Sequence, residues 1–175
     1  MRSYLVRALL FVCVSAPFAG QSDQWHKYKS IEGNFSVLMP VEPQDTANPS
    51  EGGRVSHTIQ AVADGNIYLI VYVNLSAEQP VNDATFNVYR DTFMKSLPYC
   101  ATVREDPGSP AVQGYIGHSY LLKCDIQGNK KMFTGNLYWG KHRAYAVWVI
   151  YPGMLSAPPA AKKFTDSFSL IDNSK

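Results

Sequence analysis

The 175-residue chain has few charges and almost no cysteine, and it contains no long apolar run. Only 17% of its residues are charged, well below what keeps a chain disordered, while a hydrophobic share of 46% and an aromatic share of 13% supply ample material for one packed core. Three cysteines with no Cys-x-x-Cys pair and no Cys/His cluster at ligand spacing exclude a zinc-finger or dithiol motif. No apolar stretch reaches the roughly 20 residues a membrane-crossing helix needs. A Gly-rich phosphate loop is missing, because Gly52-Gly53 is not followed by a lysine and a helix start. No Gly-x-Ser-x-Gly elbow presents a nucleophile, and Gly108-Ser109-Pro110 sits in a loop. No internal repeat or second-domain linker breaks the chain, so one domain over residues 25–170 is expected.

What stands at the N-terminus reads as an export signal. Arg2 and Arg7 flank an apolar run from Leu5 to Ala16, followed by Ala16-Pro17-Phe18-Ala19-Gly20, so residues 1–20 are expected to be a cleaved signal peptide with the cut between 19 and 22. Cys13 is a poor lipid-attachment site, because Leu10-Phe11-Val12 lacks the small residue normally placed before such a cysteine. Loss of Arg2 and Arg7 reduces the 16 Lys plus Arg to equality with the 14 Asp plus Glu. A neutral mature chain lacks the field that draws proteins onto nucleic acid, so no nucleic-acid partner and no transmembrane anchor are expected. A periplasmic or secreted location follows. Only Cys100 and Cys124 survive cleavage, and in an oxidising compartment they are expected to form a disulfide. Their midpoint lies in the loop-like segment Asp106–Gly114, so two antiparallel strands around it would make them a cross-strand pair. Closing about 25 residues stabilises a fold by roughly 3 kcal/mol.

Hydrophobic periodicity gives the elements. Trp25–Ser30 and Phe35–Pro40 read as two short strands around a turn at Glu32-Gly33-Asn34, and the Pro/Asn/Ser/Gly-rich stretch Val41–Gly53 as a surface loop. Arg54–Ala63 and Ile67–Asn74 form a hairpin across Asp64-Gly65-Asn66. Ile67–Val73 is apolar at every position, which requires cover on both faces of its sheet. A helix follows, capped by Asn82 or Asp83, running to about Leu97 and stopped by Pro98, with Phe86, Tyr89, Phe93 and Leu97 on one face. Strands are expected at Ala101–Glu105, Tyr115–Cys124, Lys131–Trp139 and Arg143–Tyr151, the last apolar almost throughout and therefore central. A final helix runs from about Ala157 to Ser167 with Ser156 as its cap.

The front pattern Tyr28-x-Ser30-x-Glu32-Gly33-x-Phe35-Ser36-Val37 leads to Pro40 and Pro43, and the back pattern Phe164-x-x-Ser167-Phe168-x-Leu170 closes the chain. With the intervening order of hairpins and helix, this resembles a family of exported bacterial proteins of unknown function that share the fold of the photosystem extrinsic protein PsbP and the Ran-binding Mog proteins. The likeness spans nearly all of residues 25–170. It implies an α+β fold with an antiparallel β-sheet sandwiched between helices, and a non-catalytic binding or assembly role. Some proteins of that fold bind lipid-like ligands, but fold does not fix function. No catalytic residue and no cofactor or metal ligand is carried over.

The chemistry-bearing residues are scattered. His26, His57, His118 and His142 lie on separate segments, and exposed strand faces or turns are the expected homes of His57 and His118. Glu105 and Asp106 are adjacent, so in a strand they point to opposite faces and do not suit a glycosidase pair. Lys123, Lys130, Lys131, Lys141, His142 and Arg143 gather around two turns, a candidate patch for an acidic partner or an anionic headgroup that salt would weaken. The many sheet aromatics are mostly core, with a surplus that would suit a groove. The leading expectation is an exported, non-catalytic binding or assembly module whose partner is another protein. A carrier for a small apolar or lipid-like ligand is the alternative. A small hydrolase is the third reading, should His57 or His118 meet a carboxylate in a cleft.

Overall fold

A computed structural model describes residues 25–49, 55–108, 112, 114–153 and 156–171. The expected signal peptide, Cys13, Ser109 and Pro110 lie outside the described residues. The chain runs β1 (His26–Ser30), β2 (Phe35–Met39), β3 (Gln44–Pro49), β4 (Val55–Ala63), β5 (Asn66–Asn74), α1 (Asp83–Lys95), β6 (Cys100–Pro107), β7 (Tyr115–Ile126), β8 (Asn129–Gly140), β9 (Arg143–Pro152), α2 (Pro159–Ser167) and β10 (Ser169–Leu170). No helix among the described residues is long and apolar enough to cross a membrane.

Seven strands form one antiparallel sheet in the order β3-β4-β5-β9-β8-β7-β6. The continuously apolar strands β5 and β9 pair at its centre, with Leu69 opposite Trp148 and Ile70 opposite Val147, so both of their faces need cover. One face is covered by α1. Asn82 caps that helix by accepting the Thr85 backbone N–H at 3.0 Å, and its Phe86, Tyr89 and Phe93 meet Leu137, Trp139 and Trp148. The other face is covered by a second antiparallel sheet, β1-β2-β10, helped by α2. Phe35, Val37, Met39, Phe164 and Phe168 there pack on Tyr68, Tyr72, Tyr138 and Tyr145.

This arrangement corrects the expected α+β fold, in which a sheet is sandwiched between helices. The molecule is β-rich, with ten strands in two antiparallel sheets and two short helices among the described residues. The difference arises at the front of the chain, where β1 and β2 do not extend the main sheet but fold across it as its cover. Two local readings are corrected as well. Gln44–Pro49, expected as loop, is an edge strand paired with β4. The α2 N-cap is Pro158 rather than Ser156, and Pro159 opens the helix, where its missing N–H costs nothing.

Two glycines permit close approaches. A Cβ on Gly135 would stand 2.0 Å from the Val147 carbonyl oxygen and 2.8 Å from Trp148 Cα and Cε3, so the Trp148 indole lies over a position that admits no side chain. Across the β7–β8 ladder, the Tyr115 ring occupies the space a Cβ on Gly140 would need, at 2.3 Å.

Candidate functional sites

The expected disulfide is present. Cys100 and Cys124 are bonded and directly opposed in the β6–β7 ladder. From this fixed point an unbroken register would place Arg104 opposite Tyr120 and Glu105 opposite Ser119. A bulge between Thr102 and Arg104 instead shifts the pairing by one, putting Arg104 opposite Leu121 and Glu105 opposite Tyr120. An extra residue reverses which side chains face each way beyond it. Glu105 therefore turns to the α1 side, where His118 and Tyr120 alternate with Ser119 along β7.

There, one carboxylate oxygen gathers several partners. Glu105 Oε1 lies 2.8 Å from His118 Nδ1 and 2.8 Å from the Tyr120 hydroxyl, and Arg90 of α1 approaches it at 3.5 Å. An ionised carboxylate only accepts, so His118 Nδ1 carries a proton and donates, as does the phenol. Phe86 covers the imidazole with 4.2 Å between ring centroids, leaving the His118 side chain 12% exposed. Burial pushes the Glu105 carboxyl up, but the His118 and Tyr120 hydrogen bonds and the Arg90 and His118 charges outweigh it, so the group sits below its ordinary value. Burial, then the bond to Glu105, pushes the Tyr120 phenol well above its usual range. A glutamate holding an imidazole is the orienter-and-base half of a nucleophilic site. The hydroxyl joined to this cluster is a phenol that donates to the same oxygen, and the whole assembly ties α1 to the sheet edge.

His57 is the second cluster, and its expected exposed face is corrected: it is only 8% exposed. Its ring stacks on Tyr72 at 4.5 Å. Nε2 lies 3.1 Å from Glu32 of the β1–β2 turn and Nδ1 lies 3.7 Å from Asp45 of β3, so one imidazole links both sheets and the edge strand. The Arg143 guanidinium stands 5.4 Å from the Tyr72 ring centroid. Burial chiefly, with the nearby Glu32 charge, raises the Tyr72 phenol to about 12, against the opposing effects of Ser30 and Arg143. Among the described residues no group of His, Cys, Asp and Glu has the geometry to hold a metal ion.

The basic residues divide into two sets. Lys123, Lys130 and Lys131 lie at the β7–β8 turn, with Lys123 opposite Met132, Lys130 opposite Asp125 and Lys131 opposite Cys124. Lys141 and Arg143 lie at the β8–β9 turn, roughly 30 Å away along β8 at the rise of an extended strand. There Lys141 pairs with Glu78 at 2.8 Å, His142 approaches the same carboxylate at 3.5 Å, and Arg143 donates to Asn74 Oδ1 at 2.6 Å. One set thus lies beside the disulfide, next to an open hollow of about 400 Å³ lined by Pro98, Tyr99, Cys100, Ala101, Lys123, Cys124, Asp125 and Lys130. Of the lining residues Tyr99 is 64% exposed, and further along edge strand β6 the bulged residue Val103 is 57% exposed.

Sequence reasoning paired Glu105 with neither His118 nor Tyr120. The alternation His118-x-Tyr120 facing a glutamate on the preceding strand was the available signal, and the bulge concealed it. No protein-family model matches this chain, and no curated protein matches it either.

Proposed function

We propose that this protein is an exported, non-catalytic binding or assembly module that pairs an extended segment of another protein with edge strand β6. The supporting observation is the combination of exposed Tyr99, just before β6, and exposed Val103 within it with a strand edge that no other strand among the described residues pairs. A sheet edge offers N–H and C=O groups to an added strand, and exposed apolar side chains give such pairing its specificity. Lys123, Lys130 and Lys131 close by favour an acidic segment, and salt would weaken that preference. The histidine clusters fit this reading as ties, since each joins two or more elements through a carboxylate.

A photo-crosslinking residue at Tyr99 in the exporting cell tests it, with the same residue at exposed Val62 of β4 as reference. A discrete protein adduct at Tyr99 that is lost in Val103→Lys and missing at Val62 is the expected result. Equal labelling at both positions would overturn the assignment of β6.

The hydrolase reading draws support from the Glu105–His118 contact. Turnover of a generic ester substrate that disappears in Glu105→Gln, with the fold retained, would replace the binding reading with that one. For the carrier reading, the space between α1 and the sheet is occupied by packed aromatics, with Phe93 stacked on Trp148 at 5.9 Å and Tyr89 tilted against Trp139 at 5.2 Å. The hollow lies outside that layer.

A further inference from the structure

We infer that the Cys100–Cys124 disulfide is an exchange site, reduced in the folded protein by the dithiol of a partner oxidoreductase that approaches through the adjoining hollow. The inference is independent of the strand-pairing reading, since it concerns a covalent step that small thiols also perform.

Three observations carry it. The disulfide lies at a sheet edge, because among the described residues β6 pairs on one side only, and both cysteines line the open hollow. The two cysteines are unequal: Cys124 is 1% exposed, whereas Cys100 is partly exposed, so an incoming thiolate is directed to Cys100. The surrounding charge favours an anion. Lys131 stands directly across from Cys124 on β8, so both side chains leave on the same face, while Lys123 and Lys130 line the hollow from positions that alternate to the other face. The carboxylate in this group, Asp125, accepts the Gly128 backbone N–H at 2.9 Å. Cations near a sulfur lower its thiolate's energy, both for the attacking group and for the one that leaves.

The step balances as ordinary thiol–disulfide exchange. A partner thiolate attacks Cys100 Sγ, a partner–Cys100 disulfide forms, and the Cys100–Cys124 bond breaks with its electron pair passing to Cys124 as a thiolate, which takes up a proton. The partner's second thiolate then attacks the mixed disulfide and releases Cys100 as a thiol. Two electrons move, the partner leaves as its disulfide, and this protein holds two thiols. Strand β6 keeps its ladder to β7 beyond the cysteines, so the domain stays folded. What is released is the entry to β6, where the Tyr99 carbonyl accepts the Asp125 N–H at 2.9 Å.

The test uses the full chain and two small thiols of opposite charge, mercaptoacetate and cysteamine, under native conditions, with N-ethylmaleimide quenching and peptide mapping. The expected early product carries the small thiol on the Cys100 peptide and the maleimide on Cys124. Relative to the ratio of the two rates on the chain unfolded in urea, mercaptoacetate should gain about fivefold in the folded protein. A Lys131→Gln variant should lose that gain, and Lys141→Gln, at the other end of β8, should keep it. Adducts on Cys124 would overturn the proposal, as would equal charge dependence in folded and unfolded protein. A reduction rate that saturates at the global unfolding rate whatever the thiol concentration would also overturn it, since the bond would then open only in the unfolded chain.

Discussion

At Gly135 the absence of a side chain sets how closely the Trp148 indole approaches the backbone of β8. A methyl group there meets a carbonyl oxygen and a Cα, neither of which a rotamer change can move aside. Gly135→Ala should therefore destabilise the protein by about 3 kcal/mol, at the upper end of overpacking penalties, seen as a lower denaturant midpoint with unchanged slope. The Tyr145 hydroxyl acts differently, donating to the Gly33 carbonyl at 2.7 Å within the core. It joins the central strand β9 to the turn of the covering sheet. Tyr145→Phe leaves that carbonyl unpaired in a buried place, and a loss of about 1–2 kcal/mol is expected. Glu105 carries a pH signature. Its carboxyl is held below the ordinary value, so its contribution is fully present above the unfolded-state value and is lost as pH falls through the folded one. Between about pH 5 and pH 3, wild type should lose stability more steeply than Glu105→Gln, which has no carboxylate to protonate. Thermal melts across that range would measure the difference, and parallel curves would show that the carboxylate contributes nothing to folding.

At the scale of elements, the bulge in β6 decides which side chains meet α1. Deleting Val103 and Arg104 together closes the bulge and takes one further residue out, placing Glu105 opposite Leu121 and so on the face away from His118 and Tyr120. The deletion should loosen α1 selectively, with faster hydrogen exchange over Asp83–Lys95 than over β8 and β9. Equal exchange in the two regions would mean that the apolar contacts of α1 suffice to hold it. The capped helix, the hairpins and the cysteine pairing were legible in the sequence because each depends on residues close together or on one covalent rule. Strand β3 was not legible. Gln-Asp-Thr-Ala-Asn-Pro has no alternation to read, since an edge strand with an exposed face is specified by its neighbour's backbone rather than by burial of its own side chains. The His57 cluster was hidden for the same reason, because Asp45 reaches the imidazole only once β3 pairs with β4. The bulge was hidden too, since no glycine or proline marks Thr102-Val103-Arg104.

For the whole molecule, the sequence required cover on both faces of the sheet, and that cover is present. Its composition was misjudged, because hydrophobic patterning states that a face must be buried without stating what buries it. The front hairpin had two uses available, extending the main sheet or lying across it, and Phe35, Val37 and Met39 are equally apolar in either. What decides the outcome is far away in sequence, where β10 pairs with β2 and the Ile171 N–H reaches the Asn34 carbonyl at 3.1 Å.

That pairing makes β2 the shared neighbour of the first and last strands of the domain. Both run antiparallel to it and so run parallel to each other on its two sides. Tension between the start of β1 and the end of β10 would pull the flanking strands in opposite directions along their axes. The rungs of the small sheet are then loaded together in shear rather than peeled apart one at a time. Stretched by its ends, this domain should resist like a latch, yielding at the three-stranded sheet before the seven-stranded one carries any load.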